Sequence, residues 1–133
     1  MSDKITSILV IEDSAADREM FRRVLGQICA ADVQVCFAAD LATARQRLDE
    51  HLVAFIILDN VLPDGRGADF ISELAQHRDW QKIPVLVVSD WPTPFMFDKV
   101  RNARAKAILS KDDFRAPVIR PYIENIPHAA KRA

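Results

Sequence analysis

Five short apolar runs punctuate the chain: SILVI at 7–11, VQVCFA at 33–38, VAFIIL at 53–58, PVLVVS at 84–89 and AKAIL at 105–109. Between them, apolar residues recur at the three- and four-residue spacing of amphipathic helices, the pattern of successive strand–helix units. Strands are predicted at Ser7–Ile11, Val33–Ala38, Val53–Leu58, Pro84–Ser89 and Ala105–Leu109. The first, third and fourth, apolar apart from a terminal serine in two of them, read as fully buried central strands of a parallel sheet. Ser14 is placed to cap the first helix, with Asp17 three residues on as in a capping box, and Met20, Phe21, Val24, Leu25 and Ile28 form its inward stripe. Asp40 caps a second helix with Leu41, Ala44 and Leu48 inside, and Phe70, Ile71 and Leu74 mark the buried face of a third.

The last third is less regular. Pro92 and Pro94 keep the fourth helix from starting much before Thr93. Pro117 and Pro121 fall inside the expected fifth helix, which should therefore begin late, bend or break, and should stop by Pro127. Phe95, Met96 and Phe97 cannot all face inward, so at least one is expected to meet a partner or the fifth helix.

With 133 residues, the chain is expected to form a single domain over 1–133, with about 1–6 and 128–133 as flexible ends and no room for an output domain. Half the residues are hydrophobic and the formal net charge is -1, which argues against a nucleic-acid-binding footprint. The amino-terminal apolar run is interrupted at Glu12 and Asp13, so neither a signal peptide nor a membrane span is expected, and the location is expected to be cytoplasmic. Cys29 and Cys36 lack metal or redox spacing and read as small buried residues. His51, His77 and His128 read as surface or helix-terminal side chains, and the Gly65/Gly67 pair as a turn into the third helix.

The chemistry sits where the strands end. Glu12 and Asp13 close the first strand, Asp59 the third and Ser89 the fourth, while Lys111 follows the fifth. In an open α/β sheet these carboxyl ends share one edge, so the side chains converge there. Carboxylates gathered together repel one another unless a cation relieves them, and magnesium needs few protein ligands beyond one or two carboxylates and a phosphoryl oxygen. Aspartate also serves as a covalent nucleophile towards phosphoryl groups, which makes Asp59 the candidate acceptor.

Four motifs in this order, IED at 11–13, ILDNVLPDGRG at 57–67, VVSD at 87–90 and LSK at 109–111, resemble the receiver domain of response regulators, of the chemotaxis-regulator type, over essentially the whole chain. The resemblance implies a flavodoxin-like doubly wound (βα)5 fold, sheet order 2-1-3-4-5. It implies that Asp59 accepts phosphate from a sensor histidine kinase or a histidine phosphotransfer protein. Glu12, Asp13, Asp59 and the backbone carbonyl of Val61 would hold Mg2+, Ser89 would bond the phosphoryl group and Lys111 would pair with it. Output would pass to a downstream protein target through the fourth helix, fifth strand and fifth helix, without nucleic acid or membrane.

The chain departs from the family at several positions. Ile108 replaces the aromatic that often precedes the lysine by three, Asp112 replaces the proline that commonly follows it, and Arg104 stands where a glycine usually turns the chain. Val61 and Trp91, two residues past Asp59 and Ser89, occupy positions that in this family border the path of attacking water, and both are apolar, so the resemblance implies slow loss of the phosphoryl group. These departures also motivate an alternative: an adaptor that binds partners without phosphorylation-driven switching.

Overall fold

A computed structural model of the chain describes residues 6–90, 94, 98 and 105–126. Among them are the strands β1 (Thr6–Ile11), β2 (Gln34–Ala38), β3 (Leu52–Leu58), β4 (Val61–Leu62), β5 (Gly65–Arg66), β6 (Val85–Ser89) and β7 (Ala107–Ser110). The helices are α1 (Ala15–Ile28), α2 (Leu41–Glu50), α3 (Gly67–Gln76) and a C-terminal helix (Ala116–Glu124), preceded by a 3-10 turn at Lys111–Asp113. The principal sheet is parallel, in the order β2-β1-β3-β6-β7. Counting only its five strands, this is the 2-1-3-4-5 order of a doubly wound sheet.

Alternation along the strands builds two cores. Ile8 and Val10 of β1, Phe55 and Ile57 of β3, and Leu86 and Val88 of β6 pack on one face with Phe21, Leu25 and Ile28 of α1 and Ile119 and Ile123 of the C-terminal helix. Their neighbours Leu9, Ile11, Ile56, Leu58, Val85 and Val87 pack on the other face with Leu41, Ala44 and Leu48 of α2 and Phe70, Ile71 and Leu74 of α3. Both faces of the central strands are thus covered, which is why those strands read as continuous apolar runs rather than alternating ones. The edge strand β7 is half-buried throughout.

The C-terminal helix is short and starts late. Pro117 sits in its first turn, where a missing N–H costs nothing. Pro121 lies inside it and leaves one helical carbonyl without its usual donor. The helix ends at Glu124, with Asn125 as its cap, ahead of Pro127. Cys29 and Cys36 are both buried and form no disulfide. His51 and His77 cap the C-terminal ends of α2 and α3.

The expected fourth helix falls on a segment of which only Pro94 and Asp98, both helical and exposed, are described. Trp91, Phe95, Met96, Phe97, Arg104, Pro127 and His128 lie outside the described residues. No helix among the described residues is long and apolar enough to cross a membrane.

Candidate functional site

The carboxyl ends of β1, β3, β6 and β7 open onto a cleft of about 360 Å³ lined by Glu12, Asp13, Asp59, Val61, Ser89 and Lys111. All six expected site residues are therefore brought together. Asp17 and Asp90 also line it. Neither was expected in the site, although each was legible in hindsight: Asp17 stands one helical turn after Asp13, and Asp90 follows Ser89 at a strand end.

Each side chain is held by local structure. The Asp59 N–H donates to the Ile11 carbonyl at 3.0 Å and the Glu12 N–H to the Ala38 carbonyl at 2.9 Å, so sheet pairing carries the acidic residues to the same edge. Glu12 is fully buried, and its Oε2 accepts from the Ser14 N–H at 3.0 Å. The Ser14 hydroxyl accepts in turn from the Asp17 N–H at 3.2 Å, capping α1. This corrects the expected capping box: the reciprocal acceptor of the Ser14 N–H is Glu12, and the Asp17 carboxylate is engaged elsewhere.

The loop after Asp59 is fastened from two sides. The Gly67 N–H donates to the Asn60 carbonyl at 2.8 Å, and the buried Asn60 side chain accepts from the Ala68 N–H at 3.3 Å. The Asp64 carboxylate receives the Leu41 and Ala42 N–H groups at 2.9 and 3.0 Å, satisfying open donors at the start of α2. These bonds hold the Asp64 carboxyl below its ordinary pKa. The loop also closes as the short antiparallel β4–β5 ladder, Val61 opposite Arg66 and Leu62 opposite Gly65, which the apolar pattern does not predict.

Lys111 dominates the electrostatics. Its side chain is 8% exposed, and its Nζ lies 2.6 Å from Glu12 Oε1, 2.7 Å from Asp17 Oδ2, 3.5 Å from Asp90 Oδ2 and 3.7 Å from Asp59 Oδ2. The Asp17 contact is a hydrogen bond. The contact with Glu12 Oε1 is close, but its angles fall outside hydrogen-bond geometry, so that oxygen is compensated by charge. Burial disfavours the Lys111 ammonium, yet Asp17, Glu12 and Asp59 outweigh it and hold the pKa above its ordinary value. Burial pushes Glu12 up to about 7, with Asp59 adding to the rise and Lys111 and Ser14 opposing it. Burial likewise raises the Asp59 pKa, with Asp13 adding to it, while Lys111 and the Val61 N–H pull the other way.

The donor set suits a hard divalent cation. Carboxylate oxygens of Glu12, Asp13 and Asp59 all lie within 4.8 Å of one another, which is the spacing a single ion can bridge. Asp13 is exposed at the mouth and Asp59 is buried beneath it. Five carboxylates facing one ammonium leave an excess of negative charge that a divalent ion would relieve.

Beyond the lysine, the missing proline is replaced by a different turn. The Ser110 hydroxyl accepts from the Asp112 N–H at 3.0 Å and opens the 3-10 turn that begins at Lys111. Ile108, in place of the aromatic, is partly buried against the core on the α2/α3 face.

Comparison with known proteins agrees with this geometry. The chain is 36% identical over 70 residues to the transcriptional regulatory protein DpiA of Escherichia coli K12, an alignment covering 53% of this chain and 30% of that protein. With the phosphate regulon regulatory protein PhoB of the same organism it is 38% identical over 82 residues, covering 62% and 34%. The alignments thus span about a third of the length of these relatives. Among solved structures, the Mn(2+)-bound form of response regulator Rcp1 superposes with a TM-score of 0.78 at 23% identity, covering 90% of this chain and 96% of that one. The Vibrio cholerae chemotaxis protein CheY4 gives 0.77 at 20% identity, covering 92% and 98%. The model of the response regulator receiver domain matches residues 8–120. A parallel five-stranded sheet, an acidic trio with a lysine at its carboxyl edge and this match together establish that the chain belongs to the response regulator receiver domain family of two-component signalling.

Proposed function

We propose that Asp59 is the phospho-acceptor of a magnesium-dependent switch in a two-component system or phosphorelay. The donor is a phosphohistidine on a sensor histidine kinase or a histidine phosphotransfer protein. The observation that carries this reading is the approach of Glu12, Asp13 and Asp59 to within 4.8 Å, with Lys111 beside them. A carboxylate oxygen of Asp59 attacks the phosphorus in line, the P–O bond forms as the P–N bond breaks, and the imidazole leaves. Glu12, Asp13, Asp59 and the Val61 carbonyl would hold Mg2+, which when bound neutralises phosphoryl oxygens. Ser89 donates its hydroxyl to one phosphoryl oxygen, and Lys111 offers its ammonium to another. Output is a cytoplasmic protein contact in which β7 and the C-terminal helix are the described part of the docking face.

Incubation of the full chain with Mg2+ and acetyl phosphate should add one phosphoryl mass that Asp59→Asn abolishes. Equal labelling of Asp59→Asn, or no adduct on the wild type with either acetyl phosphate or beryllofluoride, would instead favour an adaptor that does not switch by phosphorylation.

Val61 is 55% exposed at the cleft, and its N–H lies 3.4 Å from Asp59 Oδ1. Its apolar side chain, beside Asp59, offers no hydrogen bond to guide an attacking water, so the aspartyl phosphate should be long-lived. Val61→Asn and Trp91→Glu should each shorten that lifetime several-fold, measured as loss of label after the donor is removed.

A further inference from the structure

The Lys111 ammonium has two short contacts on the α1 side, to Glu12 and Asp17, and two long ones on the acceptor side, to Asp90 and Asp59. We propose that Asp17 is a counter-ligand that draws Lys111 away from Asp59, so that the phosphoryl group is held only by winning the lysine from Asp17. This inference rests on the phospho-acceptor reading of Asp59 and deepens it.

Asp17 is built into its position. Its N–H is bonded to the Ser14 hydroxyl, the Ser14 N–H to Glu12 Oε2, and the Arg18 guanidinium to the Glu12 carbonyl at 2.8 Å. The start of α1 is therefore fixed to the end of β1, and Asp17 Oδ2 meets Lys111 Nζ from a rigid first turn.

The two short-range partners of the lysine are not equivalent. Glu12 is fully buried and has no water to replace an ammonium, so losing Lys111 would leave a desolvated charge. The Asp17 side chain is 32% exposed and can be rehydrated when the lysine turns away. Asp17 is thus the partner that Lys111 can release. An ammonium has three donors, and a phosphoryl dianion on Asp59 presents more charge than Asp17 does. The Asp17 carboxylate opposes that dianion twice, by repelling it across the cleft and by competing for the same cation. Both effects have one sign, so neutralising Asp17 must favour the phosphoryl-bound state once the magnesium site is saturated.

The test uses the full chain at saturating Mg2+, with beryllofluoride as the phosphoryl mimic and bound fluoride read by 19F NMR. Magnesium affinity is titrated separately, since removing a carboxylate weakens it. Asp17→Asn should lower half-saturating beryllofluoride by roughly three- to tenfold and slow the loss of label from acetyl-phosphate-treated protein. Asp17→Glu should return both towards wild type, which a purely structural role would not require, and Asp17→Ala should give the same sign as Asp17→Asn if the latter perturbs the cap. Unchanged or weaker beryllofluoride binding in both Asp17→Asn and Asp17→Ala would overturn the proposal and make Asp17 a strut that aims the lysine. A wild-type chain that takes neither adduct would instead overturn the phospho-acceptor reading, and this inference with it.

Discussion

Lys111→Met should leave a protein that is markedly less stable without magnesium yet binds the ion more tightly. The side chain is nearly enclosed and faces Glu12, Asp17, Asp59 and Asp90, so methionine keeps most of its volume and deletes its charge. Removing one member of a buried ion pair strands the other, at a cost of about 3 kcal/mol. The loss should shrink as pH falls through about 7, where Glu12 already takes up its proton in the wild type. Burial already raises the carboxyl groups of Glu12 and Asp59, and without the ammonium both would take up protons more readily. Magnesium then enters a cleft with one competing cation fewer, and its dissociation constant should fall by roughly tenfold. Urea melts with chelator and with saturating Mg2+, together with calorimetric titration of the ion, check both halves. A variant as stable as wild type in chelator would mean that Lys111 does not compensate the acidic residues. The same variant should lose its grip on beryllofluoride if the ammonium is also the phosphoryl partner, as proposed above.

Gly67→Ala should disturb Asp59 through its backbone rather than its chemistry. A methyl group on Gly67 would lie 2.8 Å from the Asp59 carbonyl oxygen and 3.0 Å from the Asn60 Cα, with Leu58 Cδ2 at 3.3 Å. The first two are main-chain atoms that no rotamer change can move. The strand end must shift, costing about 1–3 kcal/mol, and Asp59 and Asn60 move with it. Denaturant melts should register the loss, and acetyl-phosphate labelling should slow in parallel. Gly26→Ala is the control: a methyl group there meets nothing within 4 Å, and the residue is inside α1. Exchanging a helical glycine for alanine should raise stability by roughly 0.5–1 kcal/mol and leave labelling unchanged. Equal stability of Gly67→Ala and wild type would mean that the loop after Asp59 has slack the contacts do not suggest.

β1, β2, β3 and β6 lie within one residue of their expected limits, because each is an apolar run closed by polar turn residues, whereas β7 starts at Ala107, two residues later than expected. Caps were equally legible: Ser14 and Asp40 accept from the N–H groups three residues on, as a short polar side chain before an apolar stripe is suited to do. The C-terminal helix was harder to read, since two prolines lower helix propensity while Ile119 and Ile123 are fully buried and hold it in place.

The site divides along the same line. The residues at strand ends, Glu12, Asp13, Asp59, Ser89 and Lys111, were visible because the parallel sheet sends every strand terminus to one edge, whatever the loops do. Side-chain direction within the first turn of α1 was not visible. Asp17 read as half of a capping box, and only the arrival of Lys111 from a residue 94 positions away gives it a different partner. Hydrophobic period and polar punctuation are properties of neighbours in sequence, so the order of residues alone determines the elements, the fold class and the edge where chemistry gathers. Which carboxylates share the lysine, and which backbone approaches demand a glycine, depend on distances between segments far apart in the chain. Packing of the finished sheet decides those.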